Sequence, residues 1–153
     1  DFRKQNGIVG SKNFASGNDN GIVGNANGVL GSDNLIKGNE NASIGNQNYI
    51  EGSKNINIGN SNGIIGNKNE VLGSQNAIIG QQNGLYGNQN AVIGQSNSLI
   101  GNQNILLGDK NTLWGTPTLS LESKTLLKGT KILLLVIKTE SWEAIMKLKA
   151  VRT

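Results

Sequence analysis

The sequence of 153 residues contains no cysteine and no histidine. These absences exclude disulfide bonds and thiolate chemistry, and they remove most zinc sites. No apolar run reaches the roughly eighteen residues of a transmembrane helix, so the sequence predicts no membrane span. The acidic residues up to position 115 are scattered over turns and strands and form no paired site. We therefore predict no catalytic residues, no metal, no cofactor and no enzymatic activity.

The positive net charge of +4 is confined to the end of the chain. Residues 1–115 hold seven basic and seven acidic side chains, whereas residues 116–153 hold seven basic and three acidic ones. Binding to nucleic acid or to an anionic membrane would require a basic stripe along the neutral part. The distribution predicts neither partner.

A seven-residue unit repeats without interruption from Asn6 to Gly115. Asn recurs at every seventh position from Asn6 to Asn111, and Gly follows each Asn four residues later, which gives sixteen units. Such units are too short for helix pairs, and a Gly in every unit excludes a coiled coil. Short aliphatic runs between turn residues predict strands. Two units would then form one coil of a two-sided parallel β-solenoid, a β-roll, with about 4.7 Å between coils.

The orientation of the predicted strands follows from the charged residues that interrupt one of their aliphatic columns. The third position after Asn is mostly aliphatic but includes Lys37 and Glu51, which a thin core cannot bury. The second position should therefore point inward, and the first and third should point outward. Ser43 and Asn57 are polar residues of the inward column one coil apart, so we expect them to share a hydrogen bond or a trapped water.

The Asn and Gly columns are expected to build the corners between strands. Each Asn amide can bond the backbone of the turn and the next Asn along the stack, and each Gly should adopt a conformation, or allow a close approach, that other residues cannot. The predicted ladder on one side comprises Asn20, Asn34, Asn48, Asn62, Asn76, Asn90 and Asn104.

The outward positions define two faces. Alternate units from Asn6 give the first face, whose third positions are Val9, Val23, Lys37, Glu51, Ile65, Ile79, Ile93 and Leu107. The other units give the second face, with Ser16, Leu30, Ile44, Ile58, Leu72, Tyr86, Ile100 and Trp114. Because the second face has the longer uncharged stripe, it is the candidate binding surface. The candidate residues are Leu30, Ala42, Ile44, Ile56, Ile58, Leu72, Tyr86, Ser98, Ile100 and Thr112.

The unit Asn-x-(Ile/Val/Leu)-x-Gly-x-x resembles the repeat of the ice-recrystallisation-inhibition and antifreeze proteins of grasses, over residues 6–115. This resemblance implies a left-handed β-roll with inward Asn ladders and a flat face that adsorbs to ice. Segments such as Asn90-Ala91-Val92-Ile93-Gly94 are also similar to the β-roll heads of trimeric autotransporter adhesins. One departure is that grass ice-binding faces carry Thr, Ser and Val, whereas Thr is nearly absent from this array.

Two functions are compatible with an exposed aliphatic stripe. A regular apolar plane can order water to match ice, but a contiguous apolar patch can also mark a protein contact. The resemblance favours ice binding, and the alternative is a structural or adhesive solenoid that self-associates. The absence of an initial methionine before Asp1 leads us to expect a processed, secreted protein.

The sequence predicts a domain boundary after Gly115, with residues 116–153 as an irregular C-terminal tail or cap. When the codons of this tail are read from each third base, the permitted residues restore Gly and Asn at seven-residue intervals. The junction Lys128/Gly129 allows only Gly or Arg, and Lys131/Ile132 allows only Asn or Asp. We therefore hypothesise that the tail is a frameshifted continuation of the repeat, which the cDNA would test.

Overall fold

The computed structural model of the protein describes residues 5–120 and 126–134, with side chains through residue 115. These residues form a two-sheet parallel β-solenoid of about eight turns with about 14 residues per coil, which confirms the predicted all-β roll. No helix in the described part is long and apolar enough to cross a lipid bilayer. The strands are β1 (Gly7–Val9), β2 (Phe14–Ser16), β3 (Gly21–Val23), β4 (Gly28–Leu30), β5 (Leu35–Lys37), β6 (Ala42–Ile44), β7 (Tyr49–Glu51), β8 (Ile56–Ile58), β9 (Gly63–Ile65), β10 (Glu70–Leu72), β11 (Ala77–Gln81), β12 (Gly84–Tyr86), β13 (Ala91–Gln95), β14 (Ser98–Ile100), β15 (Ile105–Leu107), β16 (Thr112–Ser120) and β17 (Leu126–Leu134).

Strands pair with the strand of the same face in the next coil. Odd-numbered strands from β1 to β15 form one sheet, and even-numbered strands from β2 to β16 form the other. The register is a constant fourteen residues, so Ile64 aligns with Ile78 and Ile78 with Val92. Equivalent residues of successive coils are therefore aligned in columns.

The inward column is the hydrophobic core. Its aliphatic members from the second coil onward are at most 1% exposed, as predicted from the strand alternation. Each buried Val, Leu or Ile contributes roughly 1.5–3 kcal/mol of burial free energy. In the first coil, Ile8 is exposed and Ala15 half-buried because only one neighbouring coil covers them. The buried set is Ile22, Val29, Ile36, Ile50, Ile64, Val71, Ile78, Leu85, Val92, Leu99, Leu106 and Leu113.

The corner glycines are required by both conformation and space. From Gly10 to Gly115 their φ angles lie between 118° and 152°, a region that L side chains rarely adopt. A Cβ added at Gly66 would lie 1.7 Å from the carbonyl oxygen of Gly80 in the next coil. Both explanations offered for the Gly column from the sequence are therefore correct.

A second backbone feature of the corners was missed in the sequence. The residue before each ladder Asn, from Lys12 to Lys110, adopts a left-handed conformation with φ between 55° and 62°. This conformation costs an L residue roughly 1–2 kcal/mol, and here it is adopted by Lys, Gln, Ser, Ala, Glu and Asp rather than by Gly. The hydrogen bonds of the stack must therefore outweigh a repeated local strain.

The regular corners end at Pro117, which occupies the position that is left-handed in the preceding coils. Its ring fixes φ near −65°, so the corner conformation is not accessible. The chain instead continues as the long strand β16, which pairs with β14 through Thr112 and with β15 through Leu119. Strand β17 then pairs with β16 at the same fourteen-residue offset, with Gly129 aligned to Gly115.

Parallel pairing thus continues past residue 115, where we predicted a domain boundary. That boundary and the frameshift hypothesis stay predictions. Residues 121–125 and 135–153, to which both also apply, lie outside the described part of the chain.

Candidate functional site

The regular stacking of the coils depends on the corner asparagines. At Asn90, Nδ2 donates to Asn76 Oδ1 at 3.2 Å and to the carbonyl oxygen of Gly101 at 2.7 Å. Its Oδ1 accepts from the backbone N–H of Asn104 at 2.9 Å and from Asn104 Nδ2 at 3.0 Å. All four hydrogen-bonding positions of the buried amide are therefore used, as a dry interior requires.

Two such ladders run along the roll, one at each corner. The first contains the seven asparagines named from the sequence, and the second runs from Asn13 to Asn111 on the opposite corner. Because each amide joins its own coil to both neighbours, the ladders hold the coil spacing constant. The first ladder ends at Asn104, whose Oδ1 is buried without a hydrogen-bond partner among the described residues. Fourteen residues later stands Thr118, which has no side-chain amide to continue the ladder.

The first ladder has one local exception, at the two polar residues of the core. Asn57 Nδ2 donates to Ser43 Oγ at 3.2 Å, which confirms the hydrogen bond expected between them. Asn62 Nδ2 then donates to Asn57 Oδ1 at 2.9 Å, in addition to the carbonyl oxygen of Gly73. The buried polar pair is thus connected to the ladder, and each of its side-chain polar atoms has at least one hydrogen-bond partner.

An outer ladder, not foreseen in the sequence, lies on the exposed side of the same corners. The residue after each corner Gly accepts a hydrogen bond from the backbone of the previous coil: the N–H of Ser74 donates to Asn88 Oδ1, and that of Asn88 to Asn102 Oδ1, both at 2.8 Å. The signal was the near restriction of this position to Asn and Ser. Of the three exceptions up to residue 109, Asp109 still accepts from the N–H of Gln95 at 2.7 Å, whereas at Gln81 and Gln95 strands β11 and β13 extend by two residues.

The structure places all ten candidate residues on the second face. In the third column, Leu30 aligns with Ile44, Ile44 with Ile58, and the register continues through Leu72 to Trp114. Eight of the ten candidates are exposed, while Tyr86 and Ser98 are half-buried. The aliphatic members of this column are 41–46% exposed from Leu30 to Ile100, so they present their methyl groups at a uniform level.

The charged group on the second face is Glu70, which is held by a neighbour. The Tyr86 ring lies over Gly84, with a ring carbon 3.6 Å from where a Cβ would be, and Gly84 is the register partner of Glu70. The hydrogen bond to the Glu70 carboxylate raises the pKa of Tyr86, with smaller contributions from desolvation and from the negative charge. The phenol therefore stays protonated beside the carboxylate.

The first face is divided by a cluster of polar side chains in its third and fourth coils. Lys37 and Glu51 are register partners in adjoining coils. Each nevertheless engages Tyr49: the tyrosine hydroxyl donates to the Glu51 carboxylate, and Lys37 Nζ lies 5.9 Å from the ring centroid. The hydrogen bond to Glu51 raises the pKa of Tyr49. At the adjoining corner Lys54 Nζ lies 3.7 Å from Glu40 Oε2.

The sequence model of a protein family, the grass antifreeze beta roll, matches residues 4–94, which is more than half of the chain. The chain belongs to the grass antifreeze beta-roll family. In this grass antifreeze beta roll the coils continue beyond the match without a change of register, through β15 and β16. No curated protein matches the chain.

Membership in the grass antifreeze beta-roll family supports an antifreeze-type role with ice as the partner. The family is ice-binding, typically extracellular, and not known for enzymatic activity. The described residues contain no group of three or more acidic, His or Cys side chains that would hold a metal ion.

Proposed function

We propose that the protein adsorbs to ice through its second face and thereby inhibits the growth and recrystallisation of ice crystals. The observation that carries this proposal is the third column of that face, in which eight uncharged side chains stand in continuous parallel register from Ser16 to Trp114. The equivalent column of the first face is interrupted at Lys37 and Glu51.

The geometry of this column suits a crystalline ligand. Neighbouring coils of a parallel sheet lie about 4.7–4.9 Å apart, so eight coils span roughly 33 Å, and the two outward positions of each strand are about 7 Å apart. The ladders fix the spacing between coils, and the extended strand fixes the spacing between its two outward positions, before any contact with ice. Adsorption therefore requires no conformational change, and little conformational entropy is lost on binding.

The chemistry of the face favours ordered water over bulk water. Exposed methyl groups bind no water molecule tightly, so water above them can adopt an ice-like arrangement without losing strong hydrogen bonds to the protein. Because Thr112 is the one threonine among the candidate residues, the aliphatic methyl groups of Ile and Leu take the place of the threonine methyls of grass-type faces. The half-buried Ser98 and Tyr86 add hydroxyl groups to the plane.

The family is typically extracellular, and ice that forms outside cells would be the accessible ligand. We therefore propose that the chain is secreted, without nucleic-acid or membrane partners.

The test compares one matched substitution on each face. Ile58 and Ile79 both occupy third positions, are both surrounded by aliphatic neighbours along their column, and are exposed to 41% and 49%. Ile58→Lys should raise the protein concentration that halts grain coarsening in frozen sucrose by at least about tenfold, because desolvating an ammonium costs several kcal/mol and each 1.4 kcal/mol is a factor of ten. Ile79→Lys should leave that concentration unchanged.

Circular dichroism would show that both variants keep the β-roll, and sedimentation would show their oligomeric state. Loss of inhibition in Ile79→Lys alone would assign adsorption to the first face. If the unsubstituted protein leaves coarsening unaffected but sediments as an oligomer that Ile58→Lys dissociates, the self-associating solenoid is the correct function instead.

A further inference from the structure

The interruption of the first face is local, and the rest of that face has the composition of an adsorbing plane. Before it lie Gly7, Val9, Gly21 and Val23. After it, four coils carry only Gly, Ala and aliphatic residues at their outward positions, and their third-column isoleucines are 45–49% exposed. These residues are Gly63, Ile65, Ala77, Ile79, Ala91, Ile93, Ile105 and Leu107. Two coils thus separate two apolar stretches that are otherwise in register.

The side chains that separate them hold one another in place. Tyr49 donates its hydroxyl to Glu51 within the same strand, and its ring faces the ammonium of Lys37 in the preceding coil. Lys37 and Glu51 are both exposed. A cation over an aromatic ring and a carboxylate that accepts a phenol both gain stability from these contacts, so the polar ends are kept at the surface of the face.

This arrangement opposes contact with a flat solid. Lys, Tyr and Glu are longer than the Gly and Val of the adjoining coils, and their charged or polar ends bind water that must be removed before ice can approach. Since ice is rigid, an obstacle in the middle of the face also keeps the ice surface away from the apolar stretches on either side of the obstacle. Among the described outward positions, the second face carries one charged side chain, Glu70, whereas the first face carries two, Lys37 and Glu51, in adjoining coils.

We propose that Lys37, Tyr49 and Glu51 are specificity-determining residues that exclude the first face from ice adsorption and confine adsorption to the second. The proposal rests on the ice-binding function proposed above. It implies that the first face becomes an adsorbing plane of eight uninterrupted coils when these three side chains are replaced by those of the adjoining coils.

The experiment uses a chain whose second face is blocked by Ile44→Lys and Ile58→Lys. To this chain are added Lys37→Val, Tyr49→Gly and Glu51→Ile, which reproduce Val23, Gly63 and Ile65 of the same columns. The blocked chain should not slow grain coarsening, and the three added substitutions should restore inhibition to within about tenfold of the unsubstituted protein. The control replaces the corner ion pair with Glu40→Gln and Lys54→Gln, which removes two charges from the same coils but not from the face. It should restore nothing.

Binding of a fluorescently labelled protein to a single ice crystal adds a readout that a merely structural role would not change. The restored chain should bind ice planes that differ from those bound by the unsubstituted protein, because the two faces carry different side chains. A second set, with Thr at all three positions, keeps the face more polar and tests the same idea if the first set aggregates.

Three outcomes distinguish the two proposals. If both restored chains are folded monomers and remain inactive, the specificity proposal is wrong while adsorption through the second face stands. If the control restores inhibition as well as the face substitutions do, removal of charged groups anywhere in these coils rather than from the face is responsible, and the proposal is again wrong. If the unsubstituted protein itself fails to slow coarsening, the ice-binding function is wrong.

Discussion

Replacement of Asn90 by alanine should destabilise the protein far more than the same replacement two residues earlier in the chain. Asn90→Ala removes four side-chain hydrogen bonds, to Asn76, Gly101 and twice to Asn104. It leaves the carbonyl oxygen of Gly101 and the N–H of Asn104 without these partners at a corner where Asn104 is fully buried.

The magnitude follows from the groups that are left unsatisfied. A buried backbone group that loses its partner costs about 1–3 kcal/mol, so two such groups and the impaired Asn104 amide cost roughly 3–6 kcal/mol. Asn88→Ala removes the acceptor of the Ser74 N–H and a 3.3 Å contact to Asn102. These groups are exposed, and water replaces the lost partner, so the cost should stay below about 1 kcal/mol.

Urea unfolding followed by circular dichroism would measure both costs, and thermal unfolding should show a shift of about 2–4 °C per kcal/mol at this chain length. A melting temperature lowered equally by the two substitutions would refute the distinction between an inner ladder that holds the coils and an outer ladder that water can replace. So would an Asn90→Ala protein as stable as the unsubstituted one.

Gly66→Ala should cost more than about 4 kcal/mol of unfolding free energy, because the added Cβ would overlap the carbonyl oxygen of the corner Gly in the next coil. In the control Gly63→Ala, the added Cβ meets nothing within 4 Å, so the unfolding free energy should change by less than about 1 kcal/mol. Ala26→Gly should stabilise the protein by about 0.5–1 kcal/mol in the same urea assay, since relief of the left-handed strain exceeds the added entropy of the unfolded chain; a loss of stability would contradict this. The pKa of Tyr86 is raised above its ordinary value of 10.0 by Glu70, so this tyrosine contributes stability that is fully present below pH 10 and is lost as the pH rises through the folded-state pKa. Absorbance titration at alkaline pH should show a lower tyrosine midpoint in Glu70→Gln, and an unchanged midpoint would exclude the hydrogen bond.

The architecture was predictable because the repeat supplies the same information sixteen times. Lys37 and Glu51 identified the outward column, since charge cannot be buried in a thin core. The inward column follows from strand alternation and is buried in every coil that has neighbours on both sides. Ser43 and Asn57 could be paired in advance because a fourteen-residue coil places them one above the other.

The details that were missed depend on backbone conformation rather than on burial. The left-handed residues before each ladder Asn vary from Ala26 to Lys68, so no residue type marks them. The outer ladder was not predicted, because Asn and Ser are also the residues expected in a solvent-exposed turn. The contacts of Tyr49 with Lys37 and Glu51 depend on side-chain rotamers, which a register argument does not determine. Which face adsorbs to ice also stays a prediction, because the two faces share one backbone and differ only in their side chains.

The half-coil repeat gives insertions and deletions two distinct consequences. Loss or gain of fourteen residues would shorten or lengthen the molecule while every downstream strand keeps its side. Loss or gain of seven would preserve the core and both corners but transfer every downstream strand to the opposite side, so that the Ile79–Ile93 stripe would continue the column of Leu30 and Ile44. A gene of this kind can therefore reassort its two surfaces by single-unit slippage, without altering one residue of the interior.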